Sequence, residues 1–334
     1  MSKILLIANF KPSVGGISGQ IEISLEYFND NINQIDLFNT KDNILKRILM
    51  PFVLFIKGRK YDIFHIHGCS FFGFFPIVIG VMIGKLLKKK IIITYHGGGL
   101  AEFIKKYRKF IIHYFKKADI LTVPSIYLQS ILNENHIKSI YLPNIIRDDN
   151  VYFKKREIIN PTLIVTRTFD DVYNLPLAIM AFNDLKNIIP NAKLKLVGDG
   201  KLKNYLIDMV QRENIKDVEF IGRVPNSMIG EILNTADIFI NPSNKDNMPL
   251  SLFEALACGL PIISTKVGGI PDYIVDGING FLIEPNNKKQ LISKIIYILN
   301  NQDEVQKIIA NGYDTFQKLT LSNLKSEYLK LYEI

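Results

Sequence analysis

The chain has 334 residues, 48% hydrophobic and 22% charged, which excludes a disordered tail and, at roughly 150 residues per domain, indicates two domains. Its two cysteines, Cys69 and Cys258, exclude a disulfide-scaffolded module and a cysteine-rich zinc domain, and read most simply as reduced thiols in a cytoplasmic protein. The formal charge of +9 lies wholly in the first half: residues 1–150 carry 20 Lys/Arg against 11 Asp/Glu, and residues 151–334 carry 21 of each.

The opening run MSKILLIANF lacks a long apolar stretch followed by a small-residue cleavage site, so KILLIA is expected to be a buried first strand and not a signal peptide. The turn PSVGG then leads into a helical run from Ile17 to Phe28, followed by the short strand QIDLFN. YDIFHIHG is a buried strand ending at His67-Gly68, KIIITYHGGG another ending in glycines, and ADILTVPS and SIYLPN repeat the pattern. The run from Phe71 to Gly84, FFGFFPIVIGVMIG, is shorter than the ~20 residues of a membrane-spanning helix and contains Pro76, so it is expected to be a buried or interfacial helix. A polar stretch from Arg147 to Asn160 suggests a boundary, placed at 155/156. The alternation then restarts with TLIVTR, a helix from Leu175 to Ile189, AKLKLVGDG, VEFIGRV, ADIFINPS, PIISTKVGG and GFLIEP, and turns helical from Lys288. Strands separated by helices predict an α/β fold with a parallel sheet in each half and a ligand cleft between the two domains.

The basic residues of the first half cluster within apolar runs, KRILMPFVLFIKGRK and FIKKYRKFIIHYFKK. That pairing suits an anionic membrane surface, where each Lys or Arg contributes ~1 kcal/mol; the plainer reading is a solvated basic face. Nucleic acid is set aside as a partner, because the sequence has no aromatic-glycine strand motif and no metal finger. His65 and His67 flank Ile66 on one strand and therefore share a face, with His67 the better candidate for an acceptor site. His113 and His136 read as ordinary helix or surface residues.

PSVGGIS follows the first strand and opens a helix, where backbone N–H groups favour an anion; its Gly15, Gly16 and Gly19 do not have the dinucleotide-binding spacing. LVGDG reads mainly as a strand-to-helix turn. The richest constellation runs from Asn241 to Asp272, NPSNKDNMPLSLFEALACGLPIISTKVGGIPD. Asn247 is expected to cap a buried helix with Pro249 in its first turn, and Gly259 and Pro261 to end it. Glu254 is then the only charge inside that helix, about six residues or ~9 Å past its start, with Asp246 just before it. Two acids so placed, with the positive end of a helix dipole between them, fit a ligand with hydroxyls at both ends and negative charge in the middle, such as a nucleotide sugar.

This segment resembles the signature of retaining glycosyltransferases of family 4, among the group 1 glycosyl transferases. Asp246, seven residues, Glu254-Ala255, Cys258-Gly259-Leu260-Pro261 and Gly268-Gly269-Ile270-Pro271-Asp272 follow its pattern, and HIHG, TYHGGG, LPN, LVGDG, FIGRV and NGFLIEP fall in order around it. The resemblance implies the GT-B fold, two Rossmann-like α/β domains facing a central cleft. Residues 1–155 would bind the acceptor and 156–334 the nucleotide-sugar donor, with the last helix free to pack back on the first domain. It also implies roles. Glu254 would bind the ribose hydroxyls, and Asp246 would face the donor sugar with Asn247, Met248, Pro249 and Leu250 around it. Arg167 would contact the diphosphate. Gly15 and Gly16 would let the backbone approach the donor, His96 would sit at the reacting centre, and His67 would serve the acceptor.

The implied chemistry is front-face transfer with retention, in which the leaving phosphate oxygen takes the acceptor proton and no side-chain nucleophile or metal is needed; no cofactor is expected beyond the co-substrate. The implied partners are a nucleotide-sugar donor, a glycan or lipid-linked acceptor and an anionic membrane surface, for a peripheral protein at the inner face of a bacterial membrane making surface polysaccharide. Two departures stand out. The first acid of the motif is Asp246 where Glu is usual, and Val172 stands where the family commonly has a Lys five residues after the Arg; Lys245 and Lys266 are the candidates to replace it. The competing readings are a non-catalytic nucleotide-sugar-binding relative, which these departures would suit, and a nucleotide-sugar epimerase or phosphorylase of the same architecture.

Overall fold

A computed structural model describes residues 2–12, 16–29, 33–41 and 44–333. The chain divides into two compact units, one formed by Met1–Ile145 with Ser322–Ile334, the other by Ile146–Leu321.

The first unit carries the strands β1 (Ser2–Ala8), β2 (Asn33–Asn39), β3 (Ile63–Gly68), β4 (Lys90–Tyr95), β5 (Ile120–Val123) and β6 (Ile140–Tyr141). Its helices are α1 (Ile17–Tyr27), α2 (Ile44–Gly58), α3 (Phe75–Leu86), α4 (Leu100–Phe115) and α5 (Ile126–Glu134). The strands form one parallel sheet in the order β2-β1-β3-β4-β5-β6. Every residue of β3 is buried, as expected of a central strand covered on both faces. The order reverses direction between β1 and β3, and ligands of such sheets sit beyond the carboxyl ends of the strands at that point.

The second unit repeats the plan with β7 (Thr162–Thr166), β8 (Lys193–Val197), β9 (Val218–Gly222), β10 (Ile238–Asn241), β11 (Ile262–Thr265) and β12 (Phe281–Ile283). Its helices are α6 (Leu175–Lys186), α7 (Lys203–Arg212), α8 (Ile229–Leu233), α9 (Leu250–Ala257), α10 (Lys288–Asn300) and α11 (Gln302–Gln317). The parallel order is β12-β11-β10-β7-β8-β9, with the reversal between β7 and β10. Each unit has its own apolar core, around Phe64, Phe74 and Phe115 in the first and Phe169, Phe182 and Phe281 in the second.

Two expectations, the boundary and the cap of α9, are corrected. The boundary falls at 145/146, ten residues earlier than expected, because the polar stretch is packed into the second unit. Arg156 is buried there, donating to the carbonyls of Cys258 at 2.7 Å and Ala236 at 3.1 Å and pairing with Asp237 at 3.3 Å. The helix α12 (Leu321–Lys330) leaves the second unit, and residues from Ser322 onward belong to the first: Tyr328 donates to the carbonyl of Pro143 at 2.8 Å and stacks on Phe28. Finally, Asn247 does not cap α9. The loop bends through Asn247 and Met248, Pro249 takes the cap position with extended backbone and no side-chain hydrogen bond, and the helix begins at Leu250, so Glu254 lies four residues past its start. Both cysteines are free thiols. Among the described residues no helix is long and apolar enough to cross a membrane, and the Phe71–Gly84 run folds as a short 3-10 turn followed by α3.

Candidate active site

In the second unit, the strand ends at the reversal point supply the polar groups. β7 and β10 are neighbours in register, Phe239 opposite Ile164, so Arg167 just past β7 and Asn241 at the end of β10 emerge together. Arg167 donates through Nε at 3.1 Å and Nη2 at 3.0 Å to Asn241 Oδ1, and Nη2 also bonds Asp246. Its guanidinium lies over the Tyr173 ring, 5.0 Å from the centroid. Asn241 is fully buried and held in turn by Ser264, to whose Oγ it donates at 3.0 Å, and by Ser243, which donates to it at 2.7 Å. The Arg167 side chain is 10% exposed and that of Asp246 is 13% exposed. A planar fork fixed on one edge and nearly dry is pre-oriented for a phosphate group on its free edge.

The glycines of LVGDG do more than turn the chain. A β-carbon on Gly198, at φ +142°, would stand 1.9 Å from the Arg167 carbonyl oxygen, so only glycine lets the two loops pass and the Arg167 backbone N–H reach Val197 at 3.0 Å.

Glu254 sits on α9 with no hydrogen-bond or ion-pair partner among the described residues. Burial pushes its carboxyl up to about 7, with the nearby Arg167 charge opposing. Ser251, three residues earlier on the same helix face, keeps a buried hydroxyl without a partner, as does Thr166 at the end of β7. Buried polar atoms left unpaired beside a fixed cation mark a candidate ligand site. Asn247 and Met248 are buried in the loop before the helix, and the Asn247 backbone N–H donates to Asp246 Oδ1 at 3.0 Å. Sequence reasoning missed Asn241, Thr166 and Ser251. Ser251 was findable, as the one hydroxyl at helical spacing from Glu254 in an otherwise apolar segment.

Val172 fills the position where the family commonly has a lysine. Its carbonyl accepts the N–H of Asn244 at 2.8 Å, which sets Lys245 one residue from that position, with an exposed side chain. Lys266 is also exposed.

The first unit gathers three histidines at the ends of β3 and β4. His67 Nδ1 and His96 Nε2 share a hydrogen bond of 3.0 Å with rings stacked at 5.2 Å, and the His65 ring lies 4.3 Å from His67. The His96 N–H of the backbone donates to the Gly68 carbonyl at 2.9 Å, which ties the two strand ends. His65 is fully buried and bonds Thr94 Oγ1 at 2.7 Å and the Tyr332 hydroxyl at 2.9 Å; Thr94 continues to Thr122 at 2.7 Å. Burial holds all three imidazoles neutral: His65 falls to about 3, partly through His96, His67 falls well below its usual value, and His96 falls to about 4. Asn144 lies close enough to pull His96 back up, though no hydrogen bond of good geometry reaches its Nδ1. With one proton per ring and one shared bond, either tautomer leaves one donor and one acceptor on His67 Nε2 and His96 Nδ1, both buried without a partner. That suits a hydroxyl, which both donates and accepts.

Of the expected site residues, Arg167, Asp246 and Glu254 converge in the second unit and His67 and His96 in the first. Gly16 opens α1 at φ 71°, following β1 at the first unit's own reversal point, and Gly15 lies outside the described residues.

The glycosyl transferases group 1 family model matches residues 150–315. An uncharacterized glycosyltransferase of Methanocaldococcus jannaschii is 25% identical over 99% of this chain and 98% of its own. The N-acetyl-alpha-D-glucosaminyl L-malate synthase of Bacillus anthracis is 28% identical over 82% of this chain and 75% of its own. Among solved structures, Anabaena HepE in complex with UDP and glucose superposes with a TM-score of 0.81 at 14% identity, covering 99% of both chains, which establishes a shared fold.

Proposed function

The chain belongs to the group 1 glycosyl transferases, whose domain fills its second unit, and on that premise we propose that it transfers a sugar, with retention, from a nucleotide-diphosphate sugar to a hydroxyl of a glycan or lipid-linked acceptor in surface polysaccharide synthesis. The observation that carries the reading is the pairing of Arg167, fixed on one edge by Asn241 and Asp246, with the unpartnered Glu254 carboxylate. Arg167 would neutralise the diphosphate as it leaves, Glu254 would take the ribose hydroxyls, and Asp246 with Asn247 to Leu250 would border the sugar. Gly16 would let the first unit's backbone approach the donor. The neutral His67–His96 pair would orient hydroxyls of sugar and acceptor without adding charge. With a guanidinium already placed for the leaving group, the reaction is expected to run without a bound metal.

The α2 face supports membrane attachment. Ile48, Phe52 and Ile56 recur at helical spacing and are exposed, with Lys57, Arg59 and Lys60 following. Peripheral binding at the inner face of the membrane is part of the proposal, tested by cosedimentation with phosphatidylglycerol vesicles; retention at low salt and release at high salt is the expected result.

The test of the transferase reading is a thermal-shift and hydrolysis screen over a panel of nucleotide sugars, with and without EDTA. One donor should raise the melting temperature and be hydrolysed slowly to the nucleoside diphosphate at the same rate in EDTA. Binding without any hydrolysis or transfer would favour the non-catalytic relative and point to Val172.

A further inference from the structure

The first unit contains an apolar groove that neither the sugar chemistry nor the sheet requires. Its volume is about 730 Å³, within the range of small-molecule sites, and Phe71, Phe72, Phe75, Phe103, Tyr107 and Phe110 dominate its lining, with Lys106 the only charged residue. Large aromatics are ordinarily buried, yet Phe72 is 88% exposed and Phe71, Tyr107 and Phe110 are each more than 40% exposed. The backbone is irregular at two of these residues. Phe71 sits at φ 55°, a left-handed conformation unfavourable for a bulky side chain, and Tyr107 breaks α4 with φ −133° and ψ 38°. Each departure costs on the order of 1 kcal/mol or more.

The groove is fastened to the histidine site. Its first wall begins four residues after His67, and its 3-10 turn is closed by the Cys69 N–H on the Gly73 carbonyl at 3.0 Å. A β-carbon on Gly73 would stand 2.1 Å from Cys69 Sγ, so any larger residue there would have to displace that thiol. Gly97, next to His96, packs against Cys69 and Ser70. Two cations stand at the groove: Lys106 in its lining, and Arg47 over the Phe75 ring at 5.5 Å with its Nε buried and without a partner.

We propose that this groove holds the hydrocarbon chain of a single-chain lipid phosphate acceptor, whose phosphate meets Lys106 and Arg47 and whose sugar end reaches toward His67 and His96. The proposal rests on the transferase reading and narrows its acceptor to the lipid-linked class. A bilayer needs only an apolar face, such as α2 presents; a concave aromatic groove with Lys106 and Arg47 at it, beginning four residues after His67, fits one chain with an anionic head.

The chain has no tryptophan, so Phe72→Trp provides a single fluorescent reporter at an exposed position. Titration with geranylgeranyl phosphate below its micellar concentration should give a saturable blue shift. Geranylgeraniol, without the phosphate, should bind on the order of tenfold more weakly, and dimethylallyl phosphate, without the chain, should give no shift. In the same background Phe110→Ser should weaken geranylgeranyl phosphate about tenfold through lost apolar contact, and Lys106→Glu should weaken the phosphate but not the alcohol. An absent shift, equal affinity for the chainless phosphate, or a shift seen only with phosphatidylglycerol vesicles would overturn the proposal, the last by making the groove a membrane contact. Nucleotide-sugar binding by the same variants is measured in parallel. Its absence with lipid phosphate binding intact would sink the transferase reading and leave the groove standing.

Discussion

The two units are built on the same parallel plan but solve opposite electrostatic problems at the same place in the sheet. Beyond β7 and β10 the second unit sets charge against charge, Arg167 against Asp246, with the Glu254 carboxyl raised to about 7 beside them. Beyond β3 and β4 the first unit keeps its titratable groups neutral, three buried imidazoles linked to hydroxyls of Thr94, Thr122 and Tyr332. On the function proposed above, charge is retained where a diphosphate would be recognised and suppressed where a neutral hydroxyl would be aligned. A fold repeated within one chain thus constrains where a site lies and leaves its chemistry to a few side chains at the strand ends.

The sharpest test of this contrast is donor binding. Arg167→Ala and Glu254→Ala should each weaken the nucleoside diphosphate by about 100-fold or more, since each removes a nearly dry partner of the ligand. Arg167→Lys should recover only part, because a point charge replaces a fork. His96→Ala should leave donor affinity near wild type and lower turnover by on the order of 10- to 100-fold. Donor affinity that falls as much in His96→Ala as in Glu254→Ala, measured by calorimetry, would erase the distinction between the units.

Proton linkage offers a finer test. In the folded, ligand-free protein Glu254 holds its proton up to about pH 7, whereas an ordinary carboxyl loses it near 4.5, so its contribution to stability declines as pH rises through that window. Ribose hydroxyls donating to the carboxylate favour the charged form, so nucleoside diphosphate binding near pH 7 should release up to about half a proton per site. Calorimetry in buffers of different ionisation enthalpy reads this release, and Glu254→Gln should abolish it.

The histidines run the other way. Their folded-state values lie below the ordinary 6.5, so the unfolded chain takes up protons that the folded one refuses, and stability is lost as pH falls from about 6.5 toward 4. Each imidazole contributes up to about 1.4 kcal/mol per pH unit in that window. The urea midpoint should drop between pH 7 and 5, and His65→Gln should flatten that dependence. A midpoint unchanged over this range would mean the imidazoles are not held neutral by the fold.

The strands and the acids of the second site were legible because apolar runs, a capping turn and the Asp246–Glu254 spacing are all local features. The misreading of Asn247 shows the limit of local rules. Asparagine is a good cap only if the helix starts at once, and here Met248 and Pro249 prolong the loop to an extended cap at Pro249. Asn241 reads as the end of a strand, and only its neighbour across β7 turns it into the residue that aims Arg167. The unit boundary differs for a similar reason: the polar stretch 147–160 suggests a border by its composition, while Arg156 within it finds buried carbonyls 80 and 102 residues away. Tyr332 had no signal at all, since its partner His65 lies 267 positions earlier.

The placement of Tyr332 has a consequence for how the protein is made. The second unit is one continuous stretch, 146–321, while the first is completed only by the segment after Ser322. The second unit can therefore close from its own residues while the earlier-made first unit still lacks Tyr328 against Phe28 and a partner for His65 Nδ1, an unsatisfied buried group that costs about 1–3 kcal/mol. The part translated first is the part that waits, and a chain truncated after residue 321 should hold a closed second unit together with a first unit that proteases still cut.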